Sequence, residues 1–249
     1  MPNVEKTEQL LSTFYQIYDG KSPKILKWLS TAALHPLTTI SAVIHVMRVP
    51  IVAVDMSQAE KSNARWIYDP RRPWRQRGIV SLFIEVPSQL DDYWRGAPKQ
   101  ELRRRISQAK AAGFKVRAVE STEIIDVIAQ VYNSVAEGRV HEFEIALRKM
   151  NIRRVGGPLD HAICVAVFDE RETAIAFCLG TQTGNAVKTM LAGTSQRGTA
   201  RWLCYSGFVE EVSARGGKYI IQPPPWALSG GNRIFAGHLG FLPGRIRSK

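Results

Sequence analysis

Apolar residues recur at helical spacing in the first part of the chain and give way to β-branched runs after about residue 48. The helical spacing ends at Asp19-Gly20, and a second apolar repeat follows, so the pattern predicts two helices. Region 87–113 is again helical, with breaks at Gly96 and Pro98. The β-branched runs predict strands at residues 49–54, 64–68 and 79–86.

The second half of the chain alternates predicted strands and helices. Ser121 or Thr122 is placed to cap a helix whose buried face includes Ile124 and Ile128, and a short helix is predicted at 141–150. This order favours an α/β (α+β) fold, a mixed β-sheet flanked by helices, with an N-terminal helical and β extension. The predicted strands lie at 114–119, 161–168, 173–179, 186–191, 219–222 and 241–246, and the remaining helices at 198–215 and 231–237.

Composition adds a strong positive charge to this picture. The chain has 249 residues, of which 45% are hydrophobic, enough for one large core or a domain with an extension. Its formal net charge of +12 suggests a polyanionic partner: a nucleic acid, an anionic membrane surface or a phosphorylated carrier such as coenzyme A. A solvated basic surface without a partner explains the same charge.

The cysteines and the apolar segments bear on the compartment. Cys164, Cys178 and Cys204 stand alone in apolar stretches without metal-ligand spacing, which favours buried thiols in a reducing compartment and predicts no metal site. The N-terminus is polar and unlike a signal peptide. Charged residues and prolines interrupt the apolar region 31–55, so it does not predict a membrane span. We therefore expect a cytoplasmic protein.

Two stretches carry a family resemblance. Residues 100–117 form a basic helix that ends in Lys110-Ala-Ala-Gly113 and leads into a strand, and residues 201–245 close with a helix, a strand, a helix and Gly240-Phe241. The first resembles the Fem-type, aminoacyl-tRNA-dependent branch of the GNAT (GCN5-related N-acetyltransferase) superfamily. The second is similar to the closing pattern of GNAT domains generally.

The resemblance implies a GNAT-like acyltransferase domain at 96–249, after an N-terminal extension or reduced GNAT-like half at 1–95. Its implied activity is transfer of an aminoacyl or acyl group from an activated carrier onto a small amine or peptide. Aminoacyl-tRNA is the favoured donor, and no tightly bound cofactor is implied. The alternatives are an acyl-CoA-dependent GNAT N-acetyltransferase and a non-catalytic GNAT-like module that binds RNA or protein.

Two positions depart from the pattern of coenzyme A-dependent relatives. Their phosphate-binding loop begins with Gln or Arg, whereas this loop, Ser195-Gln-Arg-Gly-Thr-Ala200, begins with Ser. Many of them have a Tyr four residues before the terminal Gly-Phe as the acid for the leaving thiol, and here Ala236 occupies that position. Both departures favour a changed donor.

The basic helix is the first candidate donor-binding element. Lys99, Arg103 and Lys110 fall on a narrow arc beside the apolar stripe of the helix. Cations in this position suit contacts to phosphates. They also suit the edge of a core, where long side chains cover apolar surface and keep their charge in water.

The loop before the long helix is the second candidate. Arg197, Gly198 and Thr199 are expected to bind a donor phosphate, because exposed amides and the helix dipole attract anions there. An ordinary capped helix start is the alternative. The basic loop 69–78, with Trp74 among its arginines, is a weaker RNA-binding candidate.

The predicted substrate pocket follows a proline-rich strand exit. Trp226, Asn232 and Arg233 are its candidate lining residues, although a rigid structural turn fits the same sequence. His238 is the one histidine near this predicted cleft. The catalytic residues stay unassigned, since no nucleophile-base motif appears and direct attack by an amine needs mainly positioning and one deprotonation.

Overall fold

The computed structural model describes residues 49–57, 79–134, 162–195, 198–223 and 230–248, with positions 33, 36, 37, 40, 44 and 228 besides. Several sequence predictions therefore lie outside the described residues. These are the two helices before residue 30, the strand at 64–68, the loop at 69–78 and the helix at 141–150.

The described strands form a single mixed sheet, as the sequence predicted. Strand order across the sheet is β1-β8-β2-β7-β6-β5-β4-β3. The pairs β1–β8 and β6–β7 are parallel, and the remaining neighbours are antiparallel. The strands are β1 (Ile51–Val54), β2 (Ile79–Glu85), β3 (Lys115–Ala118), β4 (Ala162–Phe168), β5 (Ala174–Thr183), β6 (Ala186–Thr194), β7 (Tyr219–Gln222) and β8 (Leu242–Ser248).

Helices cover both faces of this sheet. A short 3₁₀ turn at Ala97–Lys99 links the first two helices, where Gly96 and Pro98 predicted a break. None of the helices in the described ranges is long and apolar enough to cross a membrane. Within the described ranges from residue 49 onward, the helices are α1 (Leu90–Trp94), α2 (Gln100–Ala111), α3 (Ile124–Asn133), α4 (Ala200–Ala214) and α5 (Gly230–Leu239).

Two apolar clusters separate the helices by face. One joins α2, α4 and α5 to β4 residues such as Val165, and the other joins α3 to the alternate β4 residues such as Cys164. This follows from the strand period of two, which sends successive side chains to opposite faces. Helix α4 is buried without interruption from Leu203 to Val209, so it forms the centre of the first cluster.

The predicted cap of α3 is wrong in detail. The helix begins at Ile124 with Glu123 at the N-cap position, and neither Ser121 nor Thr122 caps it. The Glu123 carboxylate instead accepts hydrogen bonds from the Arg117 guanidinium and from the Glu120 amide. The helix therefore has no side-chain cap, and Glu123 forms an ion pair with β3 instead.

The strands before residue 96 belong to the same sheet as those after it. β1 pairs with β8, and β2 pairs with both β7 and β8. The described part of 1–95 therefore extends the sheet of 96–249. The division of the chain at residue 95 stays a prediction.

Candidate functional site

The central feature of the sheet is a fork between β6 and β7. These parallel strands pair at only three positions, from Ala186 with Tyr219 to Lys188 with Ile221. In β6, Leu191 pairs with β5 and so does Thr189, but Met190 between them has no partner in that register. Such a bulge bends a strand, and here it accompanies the separation of β6 from β7.

A cavity of about 1080 Å³ occupies the fork. Its lining comes from both faces of the sheet, because Val131 and Phe177 belong to the α3 cluster whereas Phe235 and Tyr205 belong to the α4 cluster. The open fork thus connects the two faces. Two reactants approaching from opposite faces would meet at this point.

Arg201, in the first turn of α4, is the main cation of the cavity wall. Its guanidinium donates to the Oδ1 of Asn232 at 2.9 Å and lies 3.6 Å from the centre of the Phe235 ring. Burial lowers the pKa of Arg201, although an arginine stays charged at neutral pH. These contacts fix the guanidinium between α4 and α5.

A buried hydrogen bond lies beside the fork. The Gln222 amide, at the last residue of β7, donates to the Tyr205 hydroxyl at 2.7 Å. Burial raises the pKa of Tyr205 well above its ordinary value, so the phenol is protonated at neutral pH. The Tyr205 ring also contacts the Phe235 ring, with centroids 5.3 Å apart.

Cys204 lines the cavity but is not placed to react. Its thiol donates to the carbonyl of Val165 at 3.4 Å. Burial raises the pKa of Cys204 well above its ordinary value. Since the thiolate is the reactive form of cysteine, Cys204 is a packed, inert thiol. Cys204 is therefore not a candidate nucleophile for chemistry in this cavity.

Glu101 and Arg105 of α2 form one end of the cavity. The Glu101 carboxylate accepts hydrogen bonds from Arg104 and Arg105, each at 2.7 Å in its shortest contact. Hydrogen bonds from Arg104 and Arg105 lower the pKa of Glu101 to about 2. Glu101 is therefore ionised at neutral pH and neutralises part of the α2 charge.

Three of the residues predicted for the site line the cavity: Gly198, Asn232 and His238. His238 lies in the last turn of α5, and the centre of its ring is 5.7 Å from the centre of the Trp202 ring. Thr199 is the N-cap residue of α4, and its carbonyl accepts bonds from the Trp202 and Leu203 amides.

The structure does not describe the side chains of three other predicted site residues. Arg197 and Trp226 are not among the described residues, and for Arg233 only the backbone, in α5, is described.

The cations predicted on α2 do not line the cavity. The Lys99 ammonium donates to the Leu239 carbonyl and lies 4.0 Å from the centre of the Tyr93 ring. Arg103 donates to the carbonyls of Trp94 and Gly96. Lys110 is exposed, towards the opposite end of α2. Their predicted contact with a donor phosphate stays a prediction.

Several polar residues of the cavity were not predicted from the sequence: Arg201, Tyr205, Gln222 and Thr189, together with Glu101 and Arg105. The signal for Arg201 was a cation in the first turn of a mostly buried helix. Tyr205, Gln222 and Thr189 had no such signal, because their roles depend on where β6 and β7 separate.

Comparison with known proteins identifies the fold. No family model matches the chain, and no curated protein matches it. The solved structure of FemX aligns at 8% identity with a TM-score of 0.50, over 67% of this chain and 59% of that one. The chain has the GNAT fold. The mixed sheet and the order strand, strand, strand, helix, strand, helix, strand after residue 162 agree with this result.

Two other solved structures give lower scores. L-PGS from Bacillus licheniformis aligns at 12% identity with a TM-score of 0.46, over 68% of this chain and 60% of that one. A GCN5-related N-acetyltransferase from Kribbella flavida aligns at 15% identity with a TM-score of 0.41, over 68% and 55%. In each case the alignment spans less than two thirds of the other structure.

Ser195 and Ala236, the two departures from the pattern of coenzyme A-dependent relatives, both make hydrogen bonds within the fold. Both the amide and the hydroxyl of Ser195 donate to the Ile175 carbonyl, at 2.8 and 3.1 Å, so Ser195 is tied to β5. Ala236 is buried, and its carbonyl accepts a bond from the Phe241 amide. Neither residue supplies an acid or an amide side chain to the cavity.

Proposed function

We propose that this protein is an N-acyltransferase that moves an aminoacyl or acyl group from an activated carrier onto an amine. The observation that carries the proposal is the cavity at the fork of β6 and β7, lined from both faces of the sheet and bordered by the start of α4. A two-substrate reaction needs both reactants held in contact, and such positioning is a large part of the rate enhancement.

The reaction is direct aminolysis of the donor. The acceptor nitrogen bonds to the donor carbonyl carbon and the carbon–oxygen or carbon–sulfur bond to the carrier breaks. The proton that the amine loses is balanced by the one that the released hydroxyl or thiol of the carrier gains. Because the Cys204 thiol is protonated and hydrogen-bonded, no thiol intermediate is invoked. The bulge at Met190 lies in the wall of the same cavity.

Aminoacyl-tRNA is the donor that we favour. Ala236 takes the place of the tyrosine that protonates a leaving thiol in many coenzyme A-dependent relatives, and this departure favours a changed donor. The charge of +12 and the fold likeness to FemX support the same choice. An acyl-CoA donor is the alternative that the first experiment distinguishes.

The three predicted donor-binding cations of the α2 region differ in their contacts, and this decides which of them suits a test of donor binding. Lys99 and Arg103 hold main-chain carbonyls, so their replacement also affects folding. Lys110 is exposed and suits a phosphate contact that can be removed alone. We propose donor phosphates near Lys110 and at Gly198 and Thr199, with Arg197 as a further contact. Trp226 and Arg233 are proposed to line the substrate pocket.

The experiment is a binding titration of the purified protein with charged tRNA, uncharged tRNA and coenzyme A over a salt series. We expect charged tRNA to bind more tightly than coenzyme A, and its affinity to fall with salt. Lys110→Ala should reduce the salt slope by about one. Lys115→Ala, which removes another exposed lysine, is the matched control.

Two outcomes would contradict the proposal in different ways. Saturable coenzyme A binding without a preference for RNA would replace the donor with acyl-CoA. Salt-dependent RNA binding with no transfer to any amine would leave an RNA-binding module without catalysis.

A further inference from the structure

Arg201 is a partly buried cation for which the described part of the chain supplies no acidic partner. Its contacts are the Asn232 amide oxygen and the Phe235 ring. The ion pairs among the described residues all involve other cations. The charge of Arg201 is therefore partly removed from water without a described carboxylate to neutralise it.

Arg105, a second arginine among the described residues that line the cavity, differs from Arg201 in having an acidic partner. Arg105 has an ion pair with Glu101 at 2.7 Å, and both residues line the same cavity. Arg105 is thus neutralised within the protein, whereas Arg201 has no carboxylate partner among the described residues. A desolvated guanidinium binds a carboxylate or a phosphate strongly, because the bond is charge-assisted and the planar group can engage two oxygens.

Arg201 is also held in a fixed orientation. Phe235 lies against the guanidinium face, and Asn232 accepts a bond from Nη2. Among the described residues, the other N–H groups of Arg201 have no acceptor. An arginine carries five N–H donors, so several remain for a ligand in the cavity.

Thr189 is another polar residue of the same cavity. The residue is 6% exposed, and its Oγ1 has no hydrogen-bond partner among the described residues. It follows directly after the last paired residue of β6 at the fork, Lys188. Buried hydroxyls are normally hydrogen-bonded, so an unpaired one in a cavity wall points to a ligand atom.

We propose that Arg201 binds an anionic group of a substrate, a carboxylate or a phosphate, inside the cavity, and that Thr189 hydrogen-bonds the same substrate. This inference rests on the proposed function, because the cavity is taken to be the transfer site. The anion belongs either to a phosphate of the donor or to a carboxylate of the acceptor. In both cases the protein would select substrates that carry a negative charge close to the reacting groups.

The test uses inorganic phosphate and acetate as probes of the full-length protein. Binding is measured by calorimetry at constant ionic strength, and by the rise in the thermal midpoint. We expect saturable binding to the wild type and at least a tenfold loss of affinity in Arg201→Gln. Arg201→Lys should retain part of the affinity, because it keeps the charge but loses the planar fork.

Two further variants complete the design. Thr189→Val, which keeps the shape of the side chain, should weaken binding about fivefold. Arg215→Gln removes an exposed arginine at the opposite end of α4 and should bind like the wild type. Tighter binding of phosphate than of acetate would assign the anion to the donor, and the reverse order to the acceptor.

The inference is overturned if the wild type binds neither probe, or if Arg201→Gln and Thr189→Val both bind like the wild type. If Arg201→Gln does not fold, the Arg201→Lys and Thr189→Val results decide. Transferase activity is assayed separately. Anion binding that depends on Arg201 in a protein without transfer activity would reject the proposed function and keep this inference. Transfer activity in the wild type, together with unchanged anion binding in the variants, would support the proposed function and reject this inference.

Discussion

The cations at the start of α2 hold the ends of neighbouring helices. Lys99 donates to the Leu239 carbonyl at the end of α5, and Arg103 donates to the Trp94 carbonyl at the end of α1. The last carbonyls of a helix lack partners within it and attract positive charge. Side chains at the margin of a buried face are well placed for such contacts, which the spacing along α2 alone did not reveal.

Because Lys99 is partly buried, we expect its contribution to the free energy of unfolding to depend on pH. Desolvation lowers its pKa to about 8, against about 10.4 in an unfolded chain. Between these values the unfolded chain binds more protons, so the contribution of Lys99 to the free energy of unfolding rises with pH. The rise is about 1 kcal/mol, because partial exposure screens the shift.

The measurement is chemical unfolding of the wild type and of Lys99→Met from pH 7 to 10.5. The difference in unfolding free energy between the two proteins should change in favour of the wild type as the pH rises. Lys115→Met, at an exposed lysine paired with Glu172, serves as the control. A difference that stays constant over this range would show that Lys99 is not desolvated.

At the level of the elements, the turn between β5 and β6 is packed against the end of β1. Thr183 pairs with Ala186 across this turn, and the Asn185 side chain accepts from the Asp55 amide and donates to the Asp55 carboxylate. Gly184 has a φ of +56°, and a Cβ there would overlap the Asp55 carbonyl. The turn and β1 therefore require a glycine at this position.

We expect Gly184→Ala to destabilise the protein by about 3 kcal/mol, since both the backbone conformation and the contact with Asp55 are lost. Gly231→Ala is the matched control, because a Cβ at Gly231 meets nothing within 4 Å. Thermal or urea unfolding of both variants measures the effect. Equal stability of the two variants would contradict the packing of the β5–β6 turn against β1.

The elements that local sequence determines were the ones predicted well. Residues 219–222 form β7 as predicted, and Ile124 and Ile128 are buried in α3. The ends of β5 and β6 were placed too early, at 179 and 191. Those strands continue to Thr183 and Thr194, and each continuation includes a glycine, which β-propensity does not favour.

The site was less predictable than the elements, for a physical reason. Gly198 follows the end of β6, and Asn232 and His238 belong to the helix after β7, and sequence patterns locate both elements. Thr189 and Gln222 matter because β6 and β7 separate there, and strand separation depends on a bulge and on packing across the sheet. Such long-range geometry has no signature in a local pattern.

At the scale of the whole molecule, the described strands form one sheet that joins both parts of the chain, and a large opening lies near its centre. β1 and β2 lie on one side of the β6–β7 fork, and β3 to β5 lie on the other. The open fork gives access from both faces. A basic molecule with this opening suits a reaction between a polyanionic donor and a separate acceptor.

The most direct test of the account is transfer of a labelled amino acid from charged tRNA to a panel of amines and short peptides. The wild type should form an amide product, and Gly198→Trp should form little, because Gly198 lines the cavity and has no atom within 4 Å of an added Cβ. Ala112→Trp, an exposed position beyond α2, should remain active. An active Gly198→Trp, or a wild type that transfers no acyl group from either charged tRNA or acyl-CoA, would contradict the assignment of this cavity as the transfer site.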